Sequence, residues 1–132
     1  MNVQESDLLQ PTGELALRTV AMPSAANPNG DIFGGWLVSQ MDLAGATTAT
    51  KLAKGRVATV AIESMQFLLP VNIGATISCY SEILKVGRSS MEIRIEVWTC
   101  DAVENERRKV TEGIFTFVAI DEYRRTRAVP QD

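Results

Sequence analysis

The 132-residue sequence contains no histidine and only two cysteines. Without histidine, no imidazole can act as an acid–base catalyst or complete a zinc site. Cys79 and Cys100 lie in separate strand-like segments and lack the spacing of a metal or redox motif. We therefore expect reduced, structural thiols, a cytoplasmic protein, and neither a metal nor a cofactor.

The chain also lacks a basic excess and a long apolar run. Its net charge of −3 and its pI near 5.0 argue against a general nucleic-acid-binding protein. The basic clusters at 107–109 and 124–127 are either solvated surface or local phosphate contacts. No segment approaches the roughly 20 apolar residues that cross a bilayer, and the polar, acidic first residues do not resemble a signal peptide. We expect no nucleic-acid partner and no membrane insertion.

What remains is the composition of one ordinary globular domain, with 45% hydrophobic and 22% charged residues. We predict a single domain over 1–132, with a core at about 14–130 and flexible residues at 1–12. Hydrophobic periodicity predicts a strand, a helix and four further antiparallel strands, which makes a two-layer α+β domain. The predicted ranges are 14–22 for the first strand, 35–54 for the helix, ended by Gly55, and 57–69, 75–86, 89–100 and 108–121 for the remaining strands.

The predicted helix contains a run of small residues at 44–49. A glycine within a helix costs about 1 kcal/mol relative to alanine, so Gly45 indicates that either a strand or a ligand approaches the helix backbone closely. The segment before the helix is also unusual. In NPNGDIFGGWLVSQMD, residues 27–42, a loop with Asn27 leads to two glycines at the helix start and then to Asp42.

Four segments at matching spacing carry a resemblance to a known family: NPNGDIFGGWLVSQMD, VATVAIESMQF, VGRSSMEI and TEGIFTFVAID. Together they resemble the YciA-type acyl-CoA thioesterases of the hotdog fold, over about residues 15–130. The resemblance implies a five-stranded antiparallel sheet wrapped around one long central helix. It also implies hydrolysis of acyl-CoA to free CoA and a carboxylic acid, in fatty acid metabolism, by a homohexamer built as a trimer of dimers.

The resemblance implies roles for the residues around the helix start. Backbone N–H groups in the first turn of a helix are unpaired and lie at its positive end, which suits a thioester oxyanion. The family uses the glycine N–H here, which corresponds to Gly34 and Gly35, and it uses the matching Asn27 and Asp42 as its catalytic pair. The residues alone also allow a turn glycine, ordinary turn chemistry at Asn27 and a surface position for Asp42.

Spacing adds an argument about assembly. Asp42 lies seven residues beyond Gly35, or about 10 Å along a helix axis. A catalytic carboxylate and an oxyanion donor must both lie about 3 Å from the reacting group. We therefore expect Asp42 of one chain to face the helix start of a second chain, with active sites at the interface of an obligate dimer. Asp42 would act either as the general base for water or as the nucleophile.

For the coenzyme A portion of the substrate, the turn after the third strand offers a cation, backbone N–H groups and two hydroxyls at Arg88, Ser89 and Ser90. The alternative is a hairpin with solvated charges. By resemblance, Thr59, Val60 and Ala61 also line the nucleotide or pantetheine. The acyl tunnel would include residues such as Met41, Met65 and Phe67, which are equally suited to a plain core.

Two rival functions were weighed. A hotdog hydratase or dehydratase normally needs a histidine with an acid, which this chain does not have. A non-catalytic acyl-CoA sensor of the same fold stays open as the alternative. Loss of the asparagine or the aspartate would mark such a sensor, and both are present here.

Overall fold

A computed structural model describes residues 10–100, 103 and 106–131. The predicted order of strand, helix and four strands is confirmed. The elements are β1 (Glu14–Val20), a short 3-10 helix (Pro23–Ala25), α1 (Gly34–Ala53), β2 (Val57–Phe67), β3 (Thr76–Val86), β4 (Ser90–Cys100) and β5 (Arg107–Ala119). The prediction of a flexible segment at 1–12 falls mostly on residues 1–9, which lie outside the described residues.

The five strands form one antiparallel sheet in the order β1-β3-β4-β5-β2. β1 and β2 are the two edge strands, and one face of the sheet packs on α1. The core lies between the two layers and includes Leu37 and Met41 from the helix and Ile93, Ile95 and Phe117 from the sheet. This arrangement is the predicted hotdog fold. No helix in the described part of the chain is both long and apolar enough to cross a membrane.

Gly45 is explained by a strand and not by a ligand. A Cβ atom at this position would lie 2.7 Å from the ring of Phe117 and 3.4 Å from Ile95. These side chains project from β5 and β4 onto the helix backbone. The missing side chain therefore lets the helix sit closely on the sheet.

The helix ends differently from the prediction. Lys54, and not Gly55, has the left-handed backbone conformation, with φ of 53°. Gly55 provides space instead, because a Cβ atom there would lie 2.6 Å from Nη2 of Arg127. That Nη2 donates a hydrogen bond to the carbonyl oxygen of Ala53 at 2.8 Å.

The two edge strands are slightly shorter than predicted. β1 ends at Val20 because the backbone of Ala21 pairs with the turn before β3, through hydrogen bonds with Ala75 and Gly74. β2 ends at Phe67. The next two N–H groups, of Leu68 and Leu69, both donate to the carbonyl of Val110, so the regular ladder stops there.

Candidate active site

The start of α1 is open. Phe33 occupies the N-cap position with an extended backbone, and its side chain makes no capping hydrogen bond. The N–H groups of Trp36 and Leu37 turn back to the carbonyl of Phe33. Across the described residues, the N–H groups of Gly34 and Gly35 have no such acceptor. A Cβ atom at Gly35 would meet nothing within 4 Å, and this residue is exposed, whereas Gly34 is half-buried. The helix start is therefore open on the side of Gly35.

Asn27 shapes the loop that leads to this helix start. Its Oδ1 accepts hydrogen bonds from the backbone N–H of Asn29 at 2.9 Å and of Asp31 at 3.1 Å. The turn role considered for Asn27 is therefore real for its carbonyl oxygen. Its side-chain amide nitrogen makes no hydrogen bond to any described residue, because the turn uses only the oxygen.

Asp42 lies two turns further along the helix, on the side that faces β2. The hydroxyl of Thr59 donates a hydrogen bond to Oδ1 of Asp42 at 2.6 Å. Both side chains remain accessible to solvent. A donor so close to a carboxylate is a charge-assisted contact that fixes its orientation. The resemblance implied a coenzyme A contact for Thr59, and its pairing with Asp42 could not be predicted, because the register of the helix against β2 is set by tertiary packing.

β2 bulges at the next residue. Thr59 pairs with Phe117 and Ala61 pairs with Thr116, so that Val60 is an extra residue on the edge strand. The Val60 side chain is 57% exposed. Bulges occur often at sheet edges and beside active sites, where they redirect side chains. Because of the bulge, the side chains of Thr59, Val60 and Ala61 do not follow the regular alternation of a strand. All three residues were predicted to contact coenzyme A.

The Arg88–Ser90 turn lies at the same end of the sheet as this segment. Met91 and Thr59 both pair with Phe117 on opposite sides of β5, which puts them about 10 Å apart at the usual strand spacing. The backbone of the turn is fixed by hydrogen bonds from Val129 to Arg88 and from Ala119 to Ser89. The Arg88 side chain is exposed.

The predicted site residues therefore form two groups. Gly34 and Gly35 begin α1, and Asn27 lies in the loop that leads to it. Asp42 lies two turns further along α1, beside Thr59 of β2. Thr59 to Ala61 and the turn 88–90 lie at the same end of the sheet. Seven helical residues, or about 10 Å, separate Gly35 from Asp42 in one chain.

Of the residues proposed for the acyl tunnel, two belong to the core. Met41 is completely buried, and Met65 fills the space above Gly113, where a Cβ atom would lie 2.7 Å from its methyl group. Phe67 differs, because it is 54% exposed. Its ring lies over Gly34, 3.1 Å from the position of a Cβ atom there.

Cys79 is not placed for catalysis. Its thiol is buried and forms no disulfide, and burial raises its pKa to about 12. A thiol with so high a pKa is not a nucleophile at neutral pH. Within the described ranges, no group of three histidine, cysteine, aspartate or glutamate side chains is arranged to hold a metal ion.

Residues 29–104, more than half of the chain, match the sequence model of the thioesterase superfamily. The chain belongs to this family. It is 48% identical over 123 residues to the acyl-CoA thioester hydrolase YciA of Escherichia coli K12, covering 91% of this chain and 93% of that protein. The resemblance found in the sequence is thereby confirmed.

Solved structures of the family agree. The hexameric broad-specificity acyl-coenzyme A thioesterase HI0827, with one aspartate replaced by alanine, superimposes with a TM-score of 0.89 at 52% identity, over 92% of this chain and 89% of that one. An acyl-CoA hydrolase of Staphylococcus aureus, in complex with butyryl-CoA and CoA, gives a TM-score of 0.80 at 29% identity, over 86% and 70% of the chains. Variants of that hydrolase replace one asparagine or one threonine by alanine.

Proposed function

We propose that this protein hydrolyses the thioester of acyl-CoA to free CoA and a carboxylic acid, at sites shared between two subunits. The observation that carries the proposal is the open helix start. The N–H groups of Gly34 and Gly35 make no hydrogen bond to a described residue there, and the carboxylate of Asp42 lies two turns further along the helix. Membership of the thioesterase superfamily and the names of the relatives support catalysis over a sensor role.

The helix start stabilises the charge that develops during the reaction. When the thioester carbonyl is attacked, its oxygen becomes negative. The N–H groups of Gly34 and Gly35 lie at the positive end of a 20-residue helix, and such preorganised donors favour the oxyanion over the neutral carbonyl. The side-chain amide of Asn27 orients the water or the carbonyl without a change of protonation.

Asp42 supplies the base or the nucleophile. As a base, its carboxylate takes a proton from water while the water oxygen bonds to the carbonyl carbon, and the thiolate of CoA then leaves and is protonated. As a nucleophile, it bonds to the carbonyl carbon and displaces the thiolate of CoA, which is protonated, to give an acyl anhydride. Water then hydrolyses the anhydride to the carboxylic acid and restores the Asp42 carboxylate. In both routes Thr59 holds Oδ1, which leaves Oδ2 to react. Coenzyme A is part of the substrate, and the reaction uses no other cofactor.

A second subunit brings the two groups together. The edge strand β2 exposes Val60 and Ile62, at 57% and 43%, as an apolar edge that a second copy would cover. In an isologous dimer, Asp42 of each chain faces the glycines of the other, and two equivalent sites result. HI0827 is hexameric. We extend a hexamer to the present chain, built as a trimer of the dimers proposed here, and we propose a single-domain cytoplasmic enzyme.

Coenzyme A would lie along the end of the sheet that carries the Arg88–Ser90 turn. The exposed Arg88 and the hydroxyls of Ser89 and Ser90 suit phosphate oxygens. Thr59, which contacts Asp42, lies nearest to this turn, and Val60 and Ala61 follow it on β2. The pantetheine arm would pass along this segment to deliver the thioester to the carboxylate.

The test is release of free thiol from acyl-CoA, followed with a thiol reagent, by the wild type and by Asp42→Asn. The asparagine keeps the volume and the hydrogen bond from Thr59 but loses the basicity. We expect turnover to fall about 100- to 10,000-fold, the usual contribution of a general base, with CoA binding and oligomer mass unchanged. Near-normal turnover would remove Asp42 from the mechanism.

A mixture of inactive variants tests the sharing of sites. If each site takes Asn27 from one chain and Asp42 from the other, heterodimers of Asn27→Ala and Asp42→Asn chains contain one intact site. The mixture should regain activity after exchange of subunits. No recovery, with heterodimers demonstrated by native mass spectrometry, would return both residues to the same chain.

A further inference from the structure

A groove of about 320 Å³ opens beside the first turn of α1. It runs between the loop that enters the helix and the segment that follows β2. These two segments are joined by a hydrogen bond from the N–H of Ile32 to the carbonyl of Val71 and by a bridge between Asp31 and Asn72. The groove is thus a fixed feature of the fold.

The floor of the groove is apolar, because Ile32, Leu37 and Val71 lie there, each at most 6% exposed. Phe67 and Leu69 form its rim and are about half exposed, at 54% and 42%. The groove therefore offers an apolar channel that begins at Gly34.

Phe67 stands where the groove meets the glycines. Its Cε1 and Cζ atoms lie 3.1 and 3.3 Å from the position that a Cβ atom of Gly34 would occupy. An acyl group whose carbonyl oxygen accepts from the N–H of Gly34 or Gly35 has its second and third carbons within a few bond lengths of this ring. The ring is therefore the first side chain that a growing acyl chain meets.

We propose that this groove receives the acyl chain and that Phe67 sets the preference for its length. The inference rests on the function proposed above and adds the residue that selects the substrate. A volume of 320 Å³ lies at the low end of ligand pockets, which span roughly 300–1,000 Å³. Asp31 also lines the groove, and its negative charge disfavours an acyl chain that ends in a negative charge. The substrates are uncharged acyl groups of short to medium length.

Phe67→Ala tests the assignment through the ratio of kcat/KM for hexanoyl-CoA to that for acetyl-CoA. Burying one methylene is worth about fourfold in an equilibrium or rate constant. If the ring covers one or two methylenes of the longer chain, the ratio should fall about four- to fifteen-fold, because acetyl-CoA has no chain for the ring to cover. Phe67→Leu should lie between the wild type and the alanine variant.

Two further variants make the result specific to the groove. Phe33→Ala removes a similarly exposed ring, 50% against 54%, from the other flank of Gly34 and should leave the ratio within about twofold, since Phe33 is not part of the groove. Leu69→Trp narrows the groove at its rim and should lower the rate with hexanoyl-CoA more than with acetyl-CoA.

Three outcomes separate this inference from the proposed function. If the wild type releases thiol and the ratio falls only in the Phe67 and Leu69 variants, the groove is the acyl site. If the wild type is active and Phe67→Ala, with native oligomer mass, keeps the wild-type ratio, or if Phe33→Ala changes it equally, Phe67 does not select the substrate. If the wild type releases no thiol from any acyl-CoA, the proposed function itself is wrong.

Discussion

The two ends of α1 are built in opposite ways. At its start, two glycines follow an N-cap residue whose side chain makes no hydrogen bond, and the space around Gly35 is empty. At its end, Lys54 closes the helix in a left-handed conformation, and the guanidinium of Arg127 donates to the carbonyl of Ala53. The start of the helix is thus open to a ligand, whereas its end is capped by residues of the same chain.

The difference shows which unpaired backbone groups of the helix stay available to a ligand. Every helix leaves N–H groups at its start and carbonyl groups at its end without helical partners. Among the described residues, no buried side-chain nitrogen or oxygen lacks a hydrogen-bond partner. The backbone N–H groups of Gly34 and Gly35 differ from these paired groups, because they donate to no carbonyl in the described part of the chain. We therefore expect changes at the two ends to affect different properties.

The largest effect is expected at the open end, from Gly35→Pro. Proline is tolerated in the first turn of a helix, where its missing N–H would have no helical partner. The substitution therefore removes one oxyanion donor, and loss of such a donor typically lowers kcat by about 100- to 1,000-fold. Kinetics of thiol release, with helix content and oligomer mass as checks of folding, would measure it.

Gly35→Ala is the matched control for this change. It keeps the N–H, and its Cβ atom meets nothing within 4 Å in the chain. Alanine in a helix is more stable than glycine by roughly 0.5–1 kcal/mol. We expect a more stable protein and a smaller loss of kcat than with proline, caused only by crowding of the substrate. Equal losses in both variants would speak against the N–H as the donor.

At the closed end, Arg127→Ala should lower stability and leave catalysis nearly intact. The guanidinium donates to the carbonyls of Ala53 and Ile120 at 2.8 and 3.0 Å. Hydrogen bonds from charged groups contribute about 1.5–3 kcal/mol, so we expect a loss of this size in the free energy of unfolding. Urea denaturation at fixed protein concentration measures it, because an oligomer's stability depends on concentration. Arg127→Lys keeps the charge without the planar guanidinium and should recover only part of the lost stability. A fall in the kcat of Arg127→Ala as large as that of Gly35→Pro would contradict the expectation that the two ends affect different properties.

Much of the fold was predictable because it follows from the local pattern of apolar and polar residues. The alternation in β4, where Met91, Ile93 and Ile95 face the core, predicts a strand that is buried on one face. The change from helical to strand periodicity after Gly55 gives the element order, and the element order with one helix gives the two layers. The roles of the glycine pair and Asp42 were predicted from the resemblance to the family, because their residue types alone also allowed a turn glycine and a surface carboxylate.

The remaining features depend on contacts between distant residues. The hydrogen bond from Thr59 to Asp42 needs the register of β2 against α1, and the contact between Phe67 and Gly34 needs the path of the chain after β2. Arg127 reaches the end of a helix that finished 74 residues earlier. No periodicity in the sequence predicts such pairings. For this reason Gly55 was predicted to end the helix, whereas in the structure it makes room for the side chain of Arg127.

The hydrogen bonds around Glu96, on the outer face of the sheet, are a third arrangement to compare with the two helix ends. They show how a buried carboxylate is paired, and we expect changes there to have a smaller effect. Glu96 is only 5% exposed, and its carboxylate accepts hydrogen bonds from the indole of Trp98 and from the N–H and hydroxyl of Thr12. Lys109 lies 3.6 Å away and also pairs with Glu112 at 2.6 Å. Burial alone would raise the pKa of Glu96, but these hydrogen bonds and the charge of Lys109 outweigh it and lower the pKa below its ordinary value of 4.5.

The smallest predicted effect follows from Thr12→Val, which removes one of these hydrogen bonds and keeps the shape. Because the folded-state pKa of Glu96 is lowered, the carboxylate contributes stability above its unfolded pKa, and this contribution is lost as the pH falls below about 4.5 through the folded value. The variant should therefore lose about 1 kcal/mol at pH 7, and its difference from the wild type should shrink in acid, where Glu96 is protonated in both proteins. Thr12→Ser, which keeps the hydroxyl, should follow the wild type at each pH in urea denaturation. A difference between valine and threonine that stays constant down to pH 3 would show that the methyl and hydroxyl groups act through packing, and that Glu96 does not depend on Thr12 for its charge.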